Sequence, residues 1–268
     1  MRLRHLCITG LLLFPCLTGL LGCGVTPPVA APSSFNNWQI QTGTTITPPY
    51  VGSSHLYGAL QIAGGSQVSG TLNSTVPCTP AVDSVTGTYN SSTGSMSLST
   101  TYTQAMLTLP ANTGSLATGT LSGGGNLCLV LMGPTPSVGV QIAPLSGSFV
   151  GTVTETASNL GAPITSGSVT AVLTQTSSPT ATGLFPLSGT LTFTGKSCTI
   201  TIPVTGTIGG IGVAFSGPAT KPGASTVDVA SYTNPTATQI TATSIVFSPA
   251  PCSTSNSSST TYKGTLVL

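Results

Sequence analysis

Apolar residues alternate with small polar ones along most of the chain, and one short pattern recurs: apolar, any residue, glycine, any residue, apolar. Its central glycines are Gly58, Gly70, Gly87, Gly119, Gly147, Gly189, Gly206 and Gly264. In an extended strand the glycine and its two apolar neighbours share one face. Glycine on the core face lets a strand bend sharply where a sheet curls or closes. The pattern therefore predicts short, curved β-strands.

Two distant stretches of the chain resemble each other. Ser69–Thr88 reads SGTLNSTVPCTPAVDSVTGT, and Ser188–Thr207 reads SGTLTFTGKSCTITIPVTGT. Both begin with Ser-Gly-Thr-Leu, contain one cysteine and end with Val-Thr-Gly-Thr, and the second follows the first at an offset of 119 residues. We infer an internal duplication, in which each half of the chain carries one copy of the same strand-rich unit.

The predicted fold class is all-β, with two duplicated antiparallel meander units. Clusters of Gly, Pro, Ser and Asn separate the strand-like runs at roughly the 8–12-residue spacing of all-β folds. The units span residues 35–144 and 145–268, and each is expected to be a curved, calycin-like barrel or a sandwich. Separate barrels and one larger closed sheet are both open at this point, and we favour two closely packed units.

The first residues have the layout of a secretion signal. Basic residues at positions 2 and 4 precede an apolar run, Ile8–Leu21, that is too short and too interrupted for a good membrane span. The run ends in Leu20-Leu21-Gly22-Cys23, which resembles the lipobox of bacterial lipoproteins. The resemblance implies that residues 1–22 are a signal peptide, removed by cleavage before Cys23, and that the Cys23 sulfur carries lipid.

The resemblance to lipoproteins also implies a location in the bacterial cell envelope. Gly24 follows the cysteine at a position where aspartate often signals retention in the inner membrane, so we expect anchoring in the outer membrane. Each buried CH₂ contributes about 0.8 kcal/mol, and two or more acyl chains give stable anchoring. Residues 23–34, the lipidated cysteine and a Pro-rich stretch, are predicted to be an extended tether. An ordinary cleaved signal with a coincidental cysteine is the alternative.

Charged residues are scarce after the leader. The chain from residue 23 onward keeps three lysines and three acidic residues, so its side-chain net charge is zero. Nucleic-acid binding requires several cations that neutralise phosphates, and the sequence therefore excludes it. Electrostatic binding to anionic lipid is excluded for the same reason. An apolar content of 39%, rich in Val, Ile and Leu, indicates a packed β-rich body.

Four cysteines remain after the leader and Cys23: Cys78, Cys128, Cys198 and Cys252. An even number in an oxidising compartment indicates disulfides, and four cysteines allow three pairings. The duplication favours Cys78–Cys128 and Cys198–Cys252, whose separations of 50 and 54 residues are similar. Since no Cys-x-x-Cys motif occurs and one histidine remains, no metal site and no cofactor are predicted.

No set of residues predicts catalysis. A serine nucleophile would need His55 as its base, and the sequence contains no Gly-x-Ser-x-Gly motif. We expect His55 to face solvent in a loop. Asp83 and Asp228 have no neighbouring acid in the sequence, and we expect them at turns or strand edges. The chain is therefore predicted not to be an enzyme.

Aromatic residues near the start of the folded body are candidates for binding. Trp38, Tyr50 and Tyr57 lie close together in the sequence and could stack on a sugar ring or contact a partner. A core position is the simpler explanation for Trp38, which opens the first predicted strand.

Together these features predict a non-enzymatic, lipid-anchored envelope protein with a structural or binding role. Its partners would be the membrane, through the anchor, and an envelope protein, a polysaccharide or an apolar ligand. A calycin-like carrier of a small apolar ligand is the alternative, because small barrels can hold one molecule inside. A transmembrane β-barrel is less favoured, because an aromatic content of 5% supplies little material for two interfacial girdles.

Overall fold

The computed structural model describes residues 34–46, 55–75, 81–101, 103–108, 116–123, 133–159, 166–196, 198–220, 224–251 and 258–268. These residues form two closed, eight-stranded antiparallel barrels in which each strand pairs with the next and the last pairs with the first. Both barrels belong to one compact unit, Pro32–Leu268. The predicted all-β fold with two meander units is confirmed, and the units are separate barrels rather than one larger sheet.

Barrel 1 contains the first eight strands of the chain. They are β1 (Asn36–Thr42), β2 (His55–Ala63), β3 (Gln67–Ser74), β4 (Val82–Asn90), β5 (Ser95–Ser99), β6 (Thr103–Thr108), β7 (Ala117–Gly123) and β8 (Thr135–Ile142). Residues 143–146 then lead into the second barrel.

Barrel 2 contains the remaining eight strands. They are β9 (Gly147–Ser158), β10 (Ser166–Gln175), β11 (Phe185–Thr194), β12 (Thr199–Gly209), β13 (Gly212–Gly217), β14 (Thr226–Thr233), β15 (Gln239–Ser248) and β16 (Thr260–Val267). Within the described residues there is no helix long and apolar enough to cross a membrane.

The two similar sequence stretches occupy equivalent places in the two barrels. The first lies on β3 and β4, and the second lies on β11 and β12, which are the third and fourth strands of barrel 2. Their cross-strand register is also the same, because Gly70 pairs with Val85 and Gly189 pairs with Val204 at the same offset of 119 residues. The internal duplication is therefore visible in strand order and register as well as in sequence.

Apolar side chains point into both barrels, but the two interiors differ. The core of barrel 1 is built from Trp38, Met96 and many leucines. Barrel 2 is richer in aromatic residues, and the rings of Phe193, Phe247 and Tyr262 lie with their centroids 5.1–5.9 Å apart. Such clusters add packing energy beyond the burial of area alone. The aromatic cluster occupies the inside of barrel 2.

The recurrent glycines allow neighbouring strands to approach closely. Gly70 pairs with Leu60, and a Cβ atom on Gly70 would clash with the carbonyl oxygen of Ala59. Gly189 pairs with Leu173, and a Cβ atom there would clash with the carbonyl oxygen of Val172. Each glycine thus faces inward opposite a bulky core residue, and its lack of a side chain permits the strong curvature that barrel closure requires.

Candidate functional site

The two barrels meet through a rim of barrel 2 and an outer wall of barrel 1. The rim consists of the connections that follow β10, β12 and β14, and the wall consists of β8, β1 and β2, which we call the closed wall. Asn37, Gln39 and Gln41 alternate along β1 with Trp38 and Ile40. Trp38 and Ile40 belong to the core of barrel 1, so the three amide side chains point outward, toward barrel 2.

The side-chain amide of Asn37 forms two hydrogen bonds with the backbone of the turn between β12 and β13, as a paired strand residue does. Its Nδ2 donates to the carbonyl oxygen of Gly210 at 2.7 Å, and its Oδ1 accepts from the Gly210 N–H at 2.7 Å. The Ile211 N–H donates to Gln39 Oε1 at 3.0 Å. All three hydrogen bonds are buried, so they satisfy backbone groups of the turn that have no access to water.

Further hydrogen bonds extend this contact, which we call the joint, along barrel 1. Gln39 Nε2 donates to Gln41 Oε1 at 3.3 Å, and Gln41 Nε2 donates to the carbonyl oxygen of Thr45 at 3.4 Å. On β3, Asn73 Nδ2 donates to the carbonyl oxygen of Thr182 at 2.8 Å. The amide side chains thus link two connections of barrel 2 to β1 and β3 of barrel 1, while Gln41 ties β1 to the segment that follows it.

An apolar layer accompanies these hydrogen bonds. Ala59, Val140 and Ile142 lie on the outside of barrel 1, yet they belong to the core cluster of barrel 2. The ring of Tyr57 packs against the Gly209–Gly210 turn, where a Cβ atom on Gly209 would come within 3.0 Å of the ring. The closed wall therefore covers one end of barrel 2 with apolar side chains and satisfies its turn with amides.

Barrel 2 also carries a groove of about 330 Å³ on its outer surface, across β12, β13, β14 and β15. Thr205 pairs with Ser216, and Ser216 pairs with Asp228, so two hydroxyls and a carboxylate form one row across three strands. Ala214 pairs with Ala230 in the adjacent row and provides a flat apolar floor. On β15 the first row continues with Val246 and the second with Ser244, so the groove combines a mostly polar row with a row of two alanines and a serine.

Asp228 is the charged residue of this groove. It lies in the middle of β14 and is exposed, and within the described part of the chain its carboxylate makes no hydrogen bond or ion pair. The expectation of a turn or edge position for Asp228 is wrong, because β14 is paired on both sides. Asp83 differs, since its carboxylate accepts hydrogen bonds from the N–H and hydroxyl of Thr101, at 2.9 and 3.1 Å.

The structure separates two of the predicted binding aromatics, Trp38 and Tyr57. Trp38 is 5% exposed and packs in the core of barrel 1, so it has almost no surface with which to contact a ligand. Its binding role is therefore corrected to a core role, because the alternation of β1 points it inward. Tyr57 is half-buried at the joint, and Tyr50 lies outside the described residues. Trp38 and Tyr57 therefore form no common surface.

His55 does not face solvent, contrary to our expectation. It is the first residue of β2 and is 5% exposed. Its Nδ1 lies 2.8 Å from the Thr75 hydroxyl, and its ring centroid lies 5.5 Å from that of Tyr57. The strand begins earlier than the sequence suggested, and the ring packs beside Thr75 and Tyr57 within barrel 1.

Cys198 precedes β12 and is disulfide-bonded. Cys78, Cys128 and Cys252 lie outside the described residues, as does Cys23, so both pairings and the lipidation stay predictions. The strand order is informative nevertheless. Cys198 follows β11, and Cys252 follows β15, which runs in the same direction, so these two strands end at the same rim of barrel 2. The same holds for β3 and β7, which precede Cys78 and Cys128.

In the ranges that the structure describes, no group of three or more His, Cys, Asp or Glu side chains could hold a metal ion. No protein-family model matches the chain, and neither a curated protein nor a solved structure matches it. The surfaces described above are therefore interpreted from their own chemistry.

Sequence reasoning missed both the joint and the groove. A signal for the joint does exist, because β1 is the described strand whose outward face carries three successive amide residues, while serine and threonine dominate elsewhere. The groove has no comparable signal. Its two rows depend on the register of four strands, including an irregularity after Ala230 in the pairing of β14 with β15.

Proposed function

We propose that this chain is a lipid-anchored protein of the bacterial cell envelope and acts there as a non-enzymatic binding module. The Leu20-Leu21-Gly22-Cys23 motif supports the anchor. The joint supports a module with a fixed arrangement of two barrels, because it combines buried hydrogen bonds with a shared apolar layer. The groove around Asp228 carries the binding role, since it is a concave surface with convergent polar groups.

The chemistry of the groove favours a hydroxyl-rich ligand, and we assign it a polysaccharide of the envelope. The Asp228 carboxylate can accept hydrogen bonds from sugar hydroxyls, while Thr205 and Ser216 can both donate and accept. Ala214 and Ala230 offer an apolar floor for the C–H face of a sugar ring. A purely apolar ligand would leave the carboxylate without a partner, which is unfavourable.

The carrier alternative receives less support from the packing. Phe193, Phe247 and Tyr262 contact one another inside barrel 2, and an apolar guest would have to displace them. The exposed face of the strands also bears on the transmembrane alternative. On β12, Thr199, Thr201 and Thr205 point outward and are exposed, which is opposite to the apolar outer band of membrane barrels. The carrier would be favoured instead if lipid co-purified with the wild-type protein and was absent from a Phe247 variant.

The binding role can be tested with purified peptidoglycan and with soluble envelope polysaccharides. We expect the protein to bind at least one of them, and we expect Ala230→Trp to weaken that binding at least tenfold, because the indole would fill the groove. Ala157→Trp is the matched control, since Ala157 is an exposed position of β9 outside the groove. Absence of polysaccharide binding, or equal binding by both variants, would contradict the proposed ligand.

The anchor can be tested separately by metabolic labelling with an alkyne fatty acid in a bacterial host. We expect the full chain to incorporate the label and to fractionate with the outer membrane. Cys23→Ser should lose the label, while Cys16→Ser should keep it. Equal labelling of the two variants, or none in the wild type, would contradict the lipid anchor and would leave the groove experiment unaffected.

A further inference from the structure

We propose that an outer wall of barrel 2 docks the free rim of barrel 1 in a second copy of this chain, and so repeats between molecules the joint that exists within one. The wall consists of β16, β9 and β10, and we call it the open wall. The free rim consists of the turns at residues 64–66 and 91–94, which follow β2 and β4. This interaction is separate from the proposed ligand and from the proposed anchor.

The argument begins with the equivalence of the strands. β16, β9 and β10 are the last, first and second strands of barrel 2, as β8, β1 and β2 are of barrel 1. The matching sequence stretches place the third and fourth strands of the two barrels in correspondence, with the same register. In barrel 1 this wall is buried beneath a rim of barrel 2. The duplication therefore provides one wall that is covered and an equivalent wall that is not.

The open wall carries an apolar patch, which is unusual for this surface. Val172, Val150 and Val267 lie on three neighbouring strands, and they are 47%, 51% and 54% exposed. Val150 pairs directly with Val267, and Val172 pairs with Ser148, two residues from Val150. The three side chains therefore point outward side by side. Contiguous apolar groups at a surface mark sites of association more often than isolated ones do.

The free rim of barrel 1 is exposed and can contact the open wall of another copy. Residues 64–66 and 91–93 are exposed, and a Cβ atom on Gly64 or Gly65 would meet no atom within 4 Å. These turns follow the second and fourth strands of barrel 1, as the turns that enter the joint follow the second and fourth strands of barrel 2. A second copy can thus present the equivalent rim to the equivalent wall.

The side chains of the open wall determine how strong the contact between two copies should be. Because the chain carries no net side-chain charge after the leader, two copies do not repel each other. The open wall offers valines and hydroxyls where the closed wall offers Asn37 and Gln39, so the contact between copies gains apolar burial but fewer hydrogen bonds. We therefore expect a reversible contact, weaker than the joint. Since wall and rim are different surfaces, the association is head-to-tail and can continue beyond two copies.

The test uses the full chain in its bacterial host. A photo-reactive benzoylphenylalanine replaces Val150, and two copies with different affinity tags are expressed together. We expect irradiation to give an adduct that carries both tags. Peptic digestion should show that the attached peptide contains residues 64–66 or 91–94, and pepsin is suitable because lysines are too few for informative tryptic maps. The same probe at Met106, which is 53% exposed on β6, is the matched control and should give at least tenfold less adduct.

The reciprocal probe makes the result decisive. Benzoylphenylalanine at Ser92 on the free rim should form adducts with peptides from β9, β10 or β16. Val150→Lys should reduce that yield at least tenfold, while Val150→Thr should reduce it less, and neither should change the amount of folded protein, because the side chain is exposed. Adducts with a different protein or with lipid, wall-to-wall adducts, or no adduct containing both tags would overturn the proposal.

Discussion

The closed wall of barrel 1 and the open wall of barrel 2 occupy equivalent places in two related barrels, yet their outward side chains differ. The closed wall presents the amides Asn37 and Gln39 beside Val140 and Ile142. The open wall presents valines flanked by serine and threonine. The first composition satisfies a buried turn, and the second is compatible with water and with intermittent contact.

The difference shows how the outer surfaces of two duplicated barrels diverge. Burying a turn leaves its backbone N–H and C=O groups without water, and side-chain amides can replace that water because they both donate and accept. A wall that stays exposed has no such requirement, and hydroxyl groups are sufficient for it. The outer faces therefore differ between the barrels, as do their core side chains, while the inward glycine pattern and the register of the third and fourth strands are shared.

The largest expected change in the free energy of unfolding concerns the inward glycines that the two barrels share. Gly189→Ala and Gly70→Ala each place a Cβ atom against a neighbouring carbonyl oxygen. Relief would require the paired strand to move, so we expect each substitution to lower the free energy of unfolding by roughly 3–5 kcal/mol. Urea denaturation of the purified protein measures the loss. Gly133→Ala, where a Cβ atom meets nothing within 4 Å, is the control and should change little. A tolerated substitution at one glycine but not the other would break the equivalence.

An effect of similar size concerns the disulfides. Cys198→Ser should lower the free energy of unfolding by about 4 kcal/mol, because the open loop of the unfolded chain regains its entropy. The predicted pairing has its own test in a tryptic digest of the denatured, unreduced protein. Lys221 is followed by proline and resists cleavage, so Ser197–Lys263 is released as one fragment containing both Cys198 and Cys252. If that fragment stays joined to the segment before Lys196 until a reductant is added, the pairing within each half is wrong.

The smallest effect separates the two walls. Asn37→Ala removes the Nδ2 and Oδ1 atoms that bond to the backbone of Gly210, and it leaves a buried N–H and a buried C=O unpaired. We expect a loss of about 3 kcal/mol in the free energy of unfolding, since each unsatisfied buried group costs roughly 1–3 kcal/mol. Thr152→Ala, at an exposed position of β9, should change stability by less than about 0.5 kcal/mol. Equal effects of the two substitutions, measured by urea denaturation, would mean that the joint contributes little.

The sequence predicts the interior of this protein better than its surface. Inward positions recur with a period of two, and they are occupied by leucines such as Leu72 and Leu191 and by the recurrent glycines two residues before them. The strands and the duplication could therefore be inferred from the sequence. Trp38 also follows this rule, although its aromatic character suggested binding. The repeated Val-Thr-Gly-Thr ending was informative because both copies occupy the fourth strand of a barrel.

The outer surfaces could not be predicted in the same way. Whether an outward residue meets water, another barrel or a ligand depends on how closed barrels are placed side by side, and local pattern carries no such information. Asn37 and Thr152 are both outward polar residues, but one is 2% exposed and the other is exposed. The groove around Asp228 depends further on the register of four strands. His55 was misjudged because its contacts with Thr75 and Tyr57 depend on the pairing of β2 with β3 and are not visible in the local pattern.

The joint combines buried hydrogen bonds with a shared apolar layer, and we therefore expect the two barrels to unfold as one cooperative unit. Hydrogen-exchange mass spectrometry across a series of urea concentrations tests this claim most directly. Peptides from β3 and β4 report on barrel 1, and peptides from β11 and β12 report on barrel 2. We predict that both sets lose protection at the same urea concentration in the wild type, and that Asn37→Ala separates them. Two distinct midpoints in the wild type that Asn37→Ala leaves unchanged would contradict the account.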